Sequence, residues 1–256
     1  MLKPDNFPFV QDSFVWNGAR LRHFYDSRLG CWITHHAVGL LKAILKNFQL
    51  QETSGVVLGL GYTKPYMHLL GMKEHICFYA RPNWLGNQDL GYQDHRTVIF
   101  AQPNHVPIHG QSVHQTLLIH AAKSKSDLVE YFVEARRITV PGGLLIGLLP
   151  LWGNGWFLSR HIPFCNDVSV TTRYLHNTLN SAGWWVLGMQ YGIHCWPIWG
   201  EDTVRALPIW EKFARLLLPI TAGIVAFVAV NGMMRQKLVK ITPRKLRLPN
   251  LSALPR

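Results

Sequence analysis

The stretch Gly55-Val-Val-Leu-Gly-Leu-Gly-Tyr-Thr-Lys-Pro-Tyr-Met67 limits the folds open to this chain more than any other segment. Val56, Val57 and Leu58 form a short apolar run, suited to a strand covered on both faces in a parallel sheet. Gly59 and Gly61 then leave the backbone without Cβ atoms, so that a ligand can approach the main chain closely. A helix from about Thr63 would aim its free N–H groups and positive dipole end at that ligand. The segment reads as a cofactor cradle; a Gly-x-Gly after a strand is equally read as a simple tight turn.

The remaining pattern repeats the theme. Residues 1–27 are an aromatic-rich lead-in expected to pack on the domain. From Arg28, apolar residues recur at three and four, as on one helix face, with Asp26 or Ser27 as the cap. His35 and His36 within it read as helix-surface and groove residues. Residues 66–71 predict a short helix ended by Gly71, and strands are expected at 75–79, 97–101 and 115–120. A helix is expected from about Asp127 to Ile138, with Asp127 and Glu130 at capping-box spacing and Pro141-Gly142-Gly143 stopping it. An apolar strand at 144–149 follows. Near-continuous apolar strands alternating with helices are the mark of a parallel sheet covered on both faces, whose ligands bind beyond the carboxyl ends of the strands.

Beyond Pro150, tryptophan and glycine become frequent, with helices expected at 168–182 and 201–218 and a strand at 184–193. The 19 uncharged residues between Arg215 and Arg235 have two readings. As a helix they would reach roughly 28 Å, close to a bilayer core. Pro219, Gly223, Asn231 and Gly232 interrupt that helix, and the β-branched Ile224, Val225, Val228 and Val230 favour a last strand at 223–230.

Composition narrows the partners without choosing one. A hydrophobic share of 48% with 16% charged residues excludes a largely disordered chain of 256 residues. The 26 Lys and Arg against 14 Asp and Glu, a net charge of +12, favour an acidic partner such as nucleic acid, anionic lipid or a phosphorylated substrate. Part of that excess lies in a basic C-terminal tail, 236–256, which reads as a solvated tail or as a binding arm. Cys31, Cys77, Cys165 and Cys195 are widely spaced, so neither a zinc ribbon nor a disulfide scaffold is indicated. With no signal-peptide core near Met1, the expected location is cytoplasmic. The pairs His161/Cys165 and His194/Cys195, and the loop histidines His105, His109 and His114, lack the spacing or orienting group of a metal or nucleophile site.

The order of these pieces resembles the class I S-adenosyl-L-methionine (SAM)-dependent methyltransferases of the type 11 kind. The matching segments are Val56-Val-Leu-Gly-Leu-Gly61, Leu117-Leu-Ile-His120 and Glu134-Ala-Arg-Arg-Ile-Thr-Val-Pro-Gly-Gly-Leu-Leu-Ile146. More narrowly, Phe24-Tyr-Asp-Ser-Arg-Leu-Gly30, Val57-Leu-Gly-Leu-Gly-Tyr-Thr-Lys-Pro-Tyr66 and Trp210-Glu-Lys-Phe-Ala-Arg215 resemble a bacterial methyltransferase-like group of unassigned substrate. The resemblance implies one Rossmann-like domain over 1–235, with a cofactor-binding core at about 52–150. Its sheet would be seven-stranded and mostly parallel, with an antiparallel last strand and helices on both faces.

The resemblance also implies a site. Leu58, Gly59, Gly61 and Tyr62 would hold the methionine part of SAM; Tyr79, Ala80, Ala101 and Gln102 would lie along its ribose and adenine; His120 and Ala121 would face the transferring methyl group. Such chemistry rests mainly on positioning, because the sulfonium is already activated. The chain departs from the family at the end of the second strand, where Phe78, Tyr79 and Ala80 stand in place of an acid that accepts from the ribose. Losing one hydrogen bond to a charged group weakens binding roughly ten- to a hundredfold. The implied enzyme methylates an unidentified acceptor. The alternatives are a non-catalytic binding protein of the same fold, on RNA given the charge, and a peripheral membrane enzyme acting on a lipid or quinone.

Overall fold

The computed structural model describes residues 16–48, 50, 55–70, 76–85, 97–153, 162–194, 211 and 222–232. The expected helix at 201–218 and the basic segment 236–256 lie outside the described residues, apart from Glu211.

The described part of the lead-in, 16–27, is helical where the sequence pattern predicts no element. It holds helix α1 (Gly18–Asp26), which starts where the Asn17 side chain accepts from the Arg20 N–H at 3.0 Å and buries Leu21, Phe24 and Tyr25. Helix α2 (Arg28–Asn47) is capped by Ser27, whose hydroxyl accepts from the Gly30 N–H at 3.1 Å and donates to the Phe24 carbonyl at 2.6 Å. Gly30 is required at this corner, because a Cβ there would stand 2.0 Å from the Phe24 carbonyl oxygen. The corner fixes the direction in which Tyr25 leaves α1.

The next elements are β1 (Val56–Gly61), α3 (Lys64–Leu69), β2 (Ile76–Arg81) and a 3-10 turn (Asn83–Leu85). Strand β3 (Thr97–Phe100), β4 (Val113–Ile119), α4 (Lys125–Ile138) and β5 (Thr139–Pro150) follow. A second 3-10 turn (Pro163–Asn166) leads to α5 (Thr172–Ser181), β6 (Trp184–Gly192) and β7 (Ile224–Asn231). The seven strands form one sheet in the order β3-β2-β1-β4-β5-β7-β6. Strands β1 to β5 pair in parallel, and β7 runs antiparallel to both β5 and β6.

Local chemistry moves several boundaries. The cap of α4 is Ser124, with Asp127 as its reciprocal N3 acid, so the box lies three residues earlier than Asp127/Glu130. Pro141-Gly142-Gly143 does not stop the helix, which ends at Ile138; these residues form an irregularity inside β5. Partner register passes from Val113↔Thr139 to Gln115↔Leu144 there, and Gly142 takes φ +80°. Residues 224–231 are the buried strand β7 in the sheet interior, fully burying Ile224, Val225, Ala226, Phe227, Val228 and Ala229. Among the described residues, no helix is long and apolar enough to cross a membrane.

Alternation along the strands builds two cores. Val57, Leu117, Ile119, Ala226 and Val228 face the layer holding α1, α2 and α3. Leu58, Leu60, Leu118, Val225 and Phe227 face the layer holding α4 and α5. Successive residues of a strand point to opposite faces, so a sheet covered on both sides needs apolar residues in both registers.

Candidate functional site

In this sheet the connections from β1 run outward to β2 and β3, and those from β4 run the other way to β5. The crevice at the carboxyl ends of β1 and β4 is therefore the topological switch point, the place where open α/β sheets bind ligands.

Strand β4 is followed by His120, whose φ of +52° is uncommon for a non-glycine residue and turns the chain sharply at the mouth of that crevice. The ring is buried, 2% exposed, against Phe164 with ring centroids 4.5 Å apart. Asp167 reaches it from the segment after the second 3-10 turn, which is tied to the end of β4 by the Val168 N–H donating to the Ala122 carbonyl at 3.3 Å. His120 Nδ1 is hydrogen-bonded to Asp167 Oδ2. On the far side of the ring, Nε2 lies 2.5 Å from the Tyr25 hydroxyl, which lies 2.9 Å from the Tyr66 hydroxyl.

The protons along this chain have a defined order. A carboxylate only accepts, so the neutral His120 ring carries its proton on Nδ1 and leaves Nε2 to accept from Tyr25. Tyr66 then donates to Tyr25. Burial, reinforced by the neighbouring Tyr66, pushes the Tyr25 phenol well above its ordinary value of 10.0. Burial raises Tyr66 and Tyr62 as well. These phenols therefore stay protonated, as donors rather than phenolates.

Asp167 has a second partner. Lys123 Nζ stands 3.5 Å from Asp167 Oδ1 and 3.4 Å from the Asn166 carbonyl oxygen. The same ammonium lies over the Trp84 ring, 3.8 Å from its centroid. Trp84 follows β2 and Lys123 follows β4, with β1 between them in the sheet, so this contact crosses above the end of β1.

The site residues expected from sequence fall in three places. Gly59, Gly61, Tyr62, His120 and Ala121 gather at the switch point. Leu58, Ala80, Ala101 and Ala121 are buried in the α4 and α5 layer, and Tyr79 in the α1, α2 and α3 layer. Gln102 is exposed in a turn closed by the His105 N–H donating to its carbonyl at 3.1 Å. The sequence reading missed Tyr25, Tyr66, Trp84, Lys123 and Asp167. Tyr25 and Tyr66 lay inside quoted motifs, while Asp167 carried no local signal.

The crevice offers an adenosyl group the β1 glycines and the buried Tyr62 and His120, with the chain's own side chains crossing its mouth. Both β1 glycines pack tightly against the chain itself: a Cβ on Gly59 would meet the Thr63 hydroxyl at 2.0 Å, and one on Gly61 would meet the Ile119 carbonyl oxygen at 2.3 Å. Tyr25 stacks on Tyr62 with centroids 5.5 Å apart. Strand β2 ends in Ala80 and Arg81, and no acid follows it among the described residues up to Leu85. Helix α3 is a six-residue element that begins at Lys64, so little dipole is presented.

A separate cluster closes the far side of the sheet. His194 Nδ1 lies 2.9 Å from Glu211 Oε1, and its backbone N–H donates to Oε2 at 2.7 Å. His36 lies 3.6 Å from the same carboxylate.

The strand order and the antiparallel β7 define a Rossmann-like class I methyltransferase fold. A SAM-dependent methyltransferase from Archaeoglobus fulgidus superposes with a TM-score of 0.55 at 13% identity, covering 82% of this chain and 96% of that one. A chain from the complex between the Haloferax volcanii Trm112 methyltransferase activator and a methyltransferase gives 0.52 at 16% identity, covering 77% and 94%. The [4+2]-cyclase SpnF gives 0.50 at 12% identity, covering 76% and 80%. No family model and no curated protein matches the chain in sequence.

Proposed function

We propose that this chain is a SAM-dependent methyltransferase of the type 11 kind, acting on an acceptor that gives up a proton as it is methylated. The observation that carries this reading is His120: an imidazole at the carboxyl end of β4, at the switch point of a methyltransferase fold, oriented by Asp167. Its Nε2, once the Tyr25 hydroxyl that it accepts from has moved aside, is the atom that can take a proton from an acceptor hydroxyl or amine. The imidazolium so formed is stabilised by the Asp167 carboxylate, and a positioned base of this kind contributes roughly 10²–10⁴-fold. Bound SAM would supply the activated methyl group. The chain's own residues orient the base and exclude water.

The first experiment is calorimetric titration of S-adenosylhomocysteine into the purified full-length chain. Saturable binding supports the enzyme reading and justifies an acceptor screen that compares wild type with His120→Asn. No heat from a folded protein moves a second reading to the front, a non-catalytic protein that uses the fold as a binding scaffold. That reading is favoured by Ala80 and Arg81 standing at the end of β2, where the resemblance implies an acid. The cyclase among the similar structures is a precedent for a methyltransferase fold named for other chemistry.

A further inference from the structure

Two contacts cross the switch-point crevice, and both end on Asp167. The first arm runs from Asp167 Oδ2 through His120 to the Tyr25 hydroxyl, 2.5 Å from Nε2, and on to Tyr66. It ties down α1, an element outside the sheet, and lays the Tyr25 ring on Tyr62 directly after the β1 glycines. The second arm runs from Asp167 Oδ1 to Lys123 and onto the Trp84 face, bridging the ends of β4 and β2 over β1.

We infer that Asp167 anchors a two-armed clasp that holds this crevice shut, and that an adenosyl ligand enters only when the Tyr25 and Lys123 arms let go. The inference rests on the methyltransferase reading, since it takes the adenosyl group as the ligand. Several observations favour a clasp over simple core packing. Tyr25 carries a polar atom from α1 to the residue that follows β4. Lys123 is 30% exposed at its side chain, yet it spans the crevice instead of extending into water. One carboxylate serves both arms, so each arm supports the other by holding the shared anchor in place. In such a closed–open equilibrium, apparent affinity is the intrinsic affinity reduced by the open fraction.

The test is titration of S-adenosylhomocysteine into the full-length wild type, Tyr25→Phe, Lys123→Met and the double variant, each checked for folding by thermal melting. Tyr25→Phe keeps the packed ring and removes the hydroxyl, and the expected result is binding about tenfold tighter than wild type. Lys123→Met alters a part-exposed side chain, and about threefold tighter binding is expected; the double variant should gain roughly the product. If Tyr25→Phe does not fold, Lys123→Met decides alone. Variants that bind as wild type does, or more weakly, overturn the clasp and leave the methyltransferase reading standing. Folded variants that all fail to bind overturn that reading and the clasp with it.

Discussion

The Tyr25 hydroxyl lies 2.5 Å from His120 Nε2, although 95 residues separate the two in the chain. The contact exists because the Ser27 and Gly30 corner ends α1 directly above the β1 turn, while the left-handed backbone of His120 ends β4 beside it. Each residue is placed by local chemistry; their meeting is tertiary.

Removing the anchor should be costly. Asp167→Ala leaves the His120 Nδ1–H buried without an acceptor and deprives Lys123 of its ion pair, with an expected loss of about 3 kcal/mol in unfolding free energy. Asp167→Asn retains an acceptor oxygen and should lose about half as much. Urea unfolding of both variants beside wild type measures this, and a loss below about 0.5 kcal/mol for Asp167→Ala would contradict the buried pair.

Gly59 and Gly61 should matter to folding before any ligand is considered. Gly61 has φ +87°, and a Cβ there would stand 2.3 Å from the Ile119 carbonyl oxygen. Gly61→Ala is expected to cost about 2 kcal/mol or more. Gly59→Ala should cost less if Thr63 can turn its hydroxyl away. Thermal melts without ligand provide the comparison, and equal stability of all three proteins would refute the packing role.

The Tyr131 hydroxyl is buried without a hydrogen-bond partner, on the α4 face turned toward the sheet. Tyr131→Phe removes that unsatisfied group and preserves the ring, so a gain of about 1 kcal/mol is expected. Most substitutions of a fully buried residue destabilise, which makes the sign of this change in urea unfolding informative.

Glu134 links stability to pH. Burial pushes its carboxyl up, but the Arg137 guanidinium at 2.7 Å and the Val106 N–H at 2.8 Å outweigh burial and hold it below the ordinary value of 4.5. A depressed folded-state value means that the stabilisation is present above 4.5 and disappears as pH falls through the lowered value. Glu134→Gln should therefore be less stable than wild type at neutral pH, with the difference shrinking toward about pH 3. Urea unfolding at the two pH values checks this, and a difference that widens in acid would be the wrong sign.

Much of the architecture was legible in the chain. Strands β1 to β4, β6 and β7 were expected within a few residues of their observed ends, and β5 at its carboxyl end, largely because a sheet covered on both faces forces continuous apolar runs. The capping residue of α4 was misread because Ser124 and Asp127 form the same spacing one turn earlier. The Pro141-Gly142-Gly143 segment was misread for a related reason: residues that end a helix also suit an irregular strand. Helix α1 was missed because its apolar spacing is short and lies among aromatic residues without regular period.

The amino-acid sequence by itself determined the strand-forming segments, the glycine turn after β1 and the position of His120 after β4, since each depends on neighbours a few residues away. Only the tertiary structure decided what lies in the crevice. Asp167, Lys123, Trp84 and Tyr25 come from four separate parts of the chain, and their side chains meet only after the sheet has brought the ends of β1, β2 and β4 together and α1 has docked above them. Hydrogen bonds and cation–π contacts act over a few ångströms, so no spacing along the chain records them.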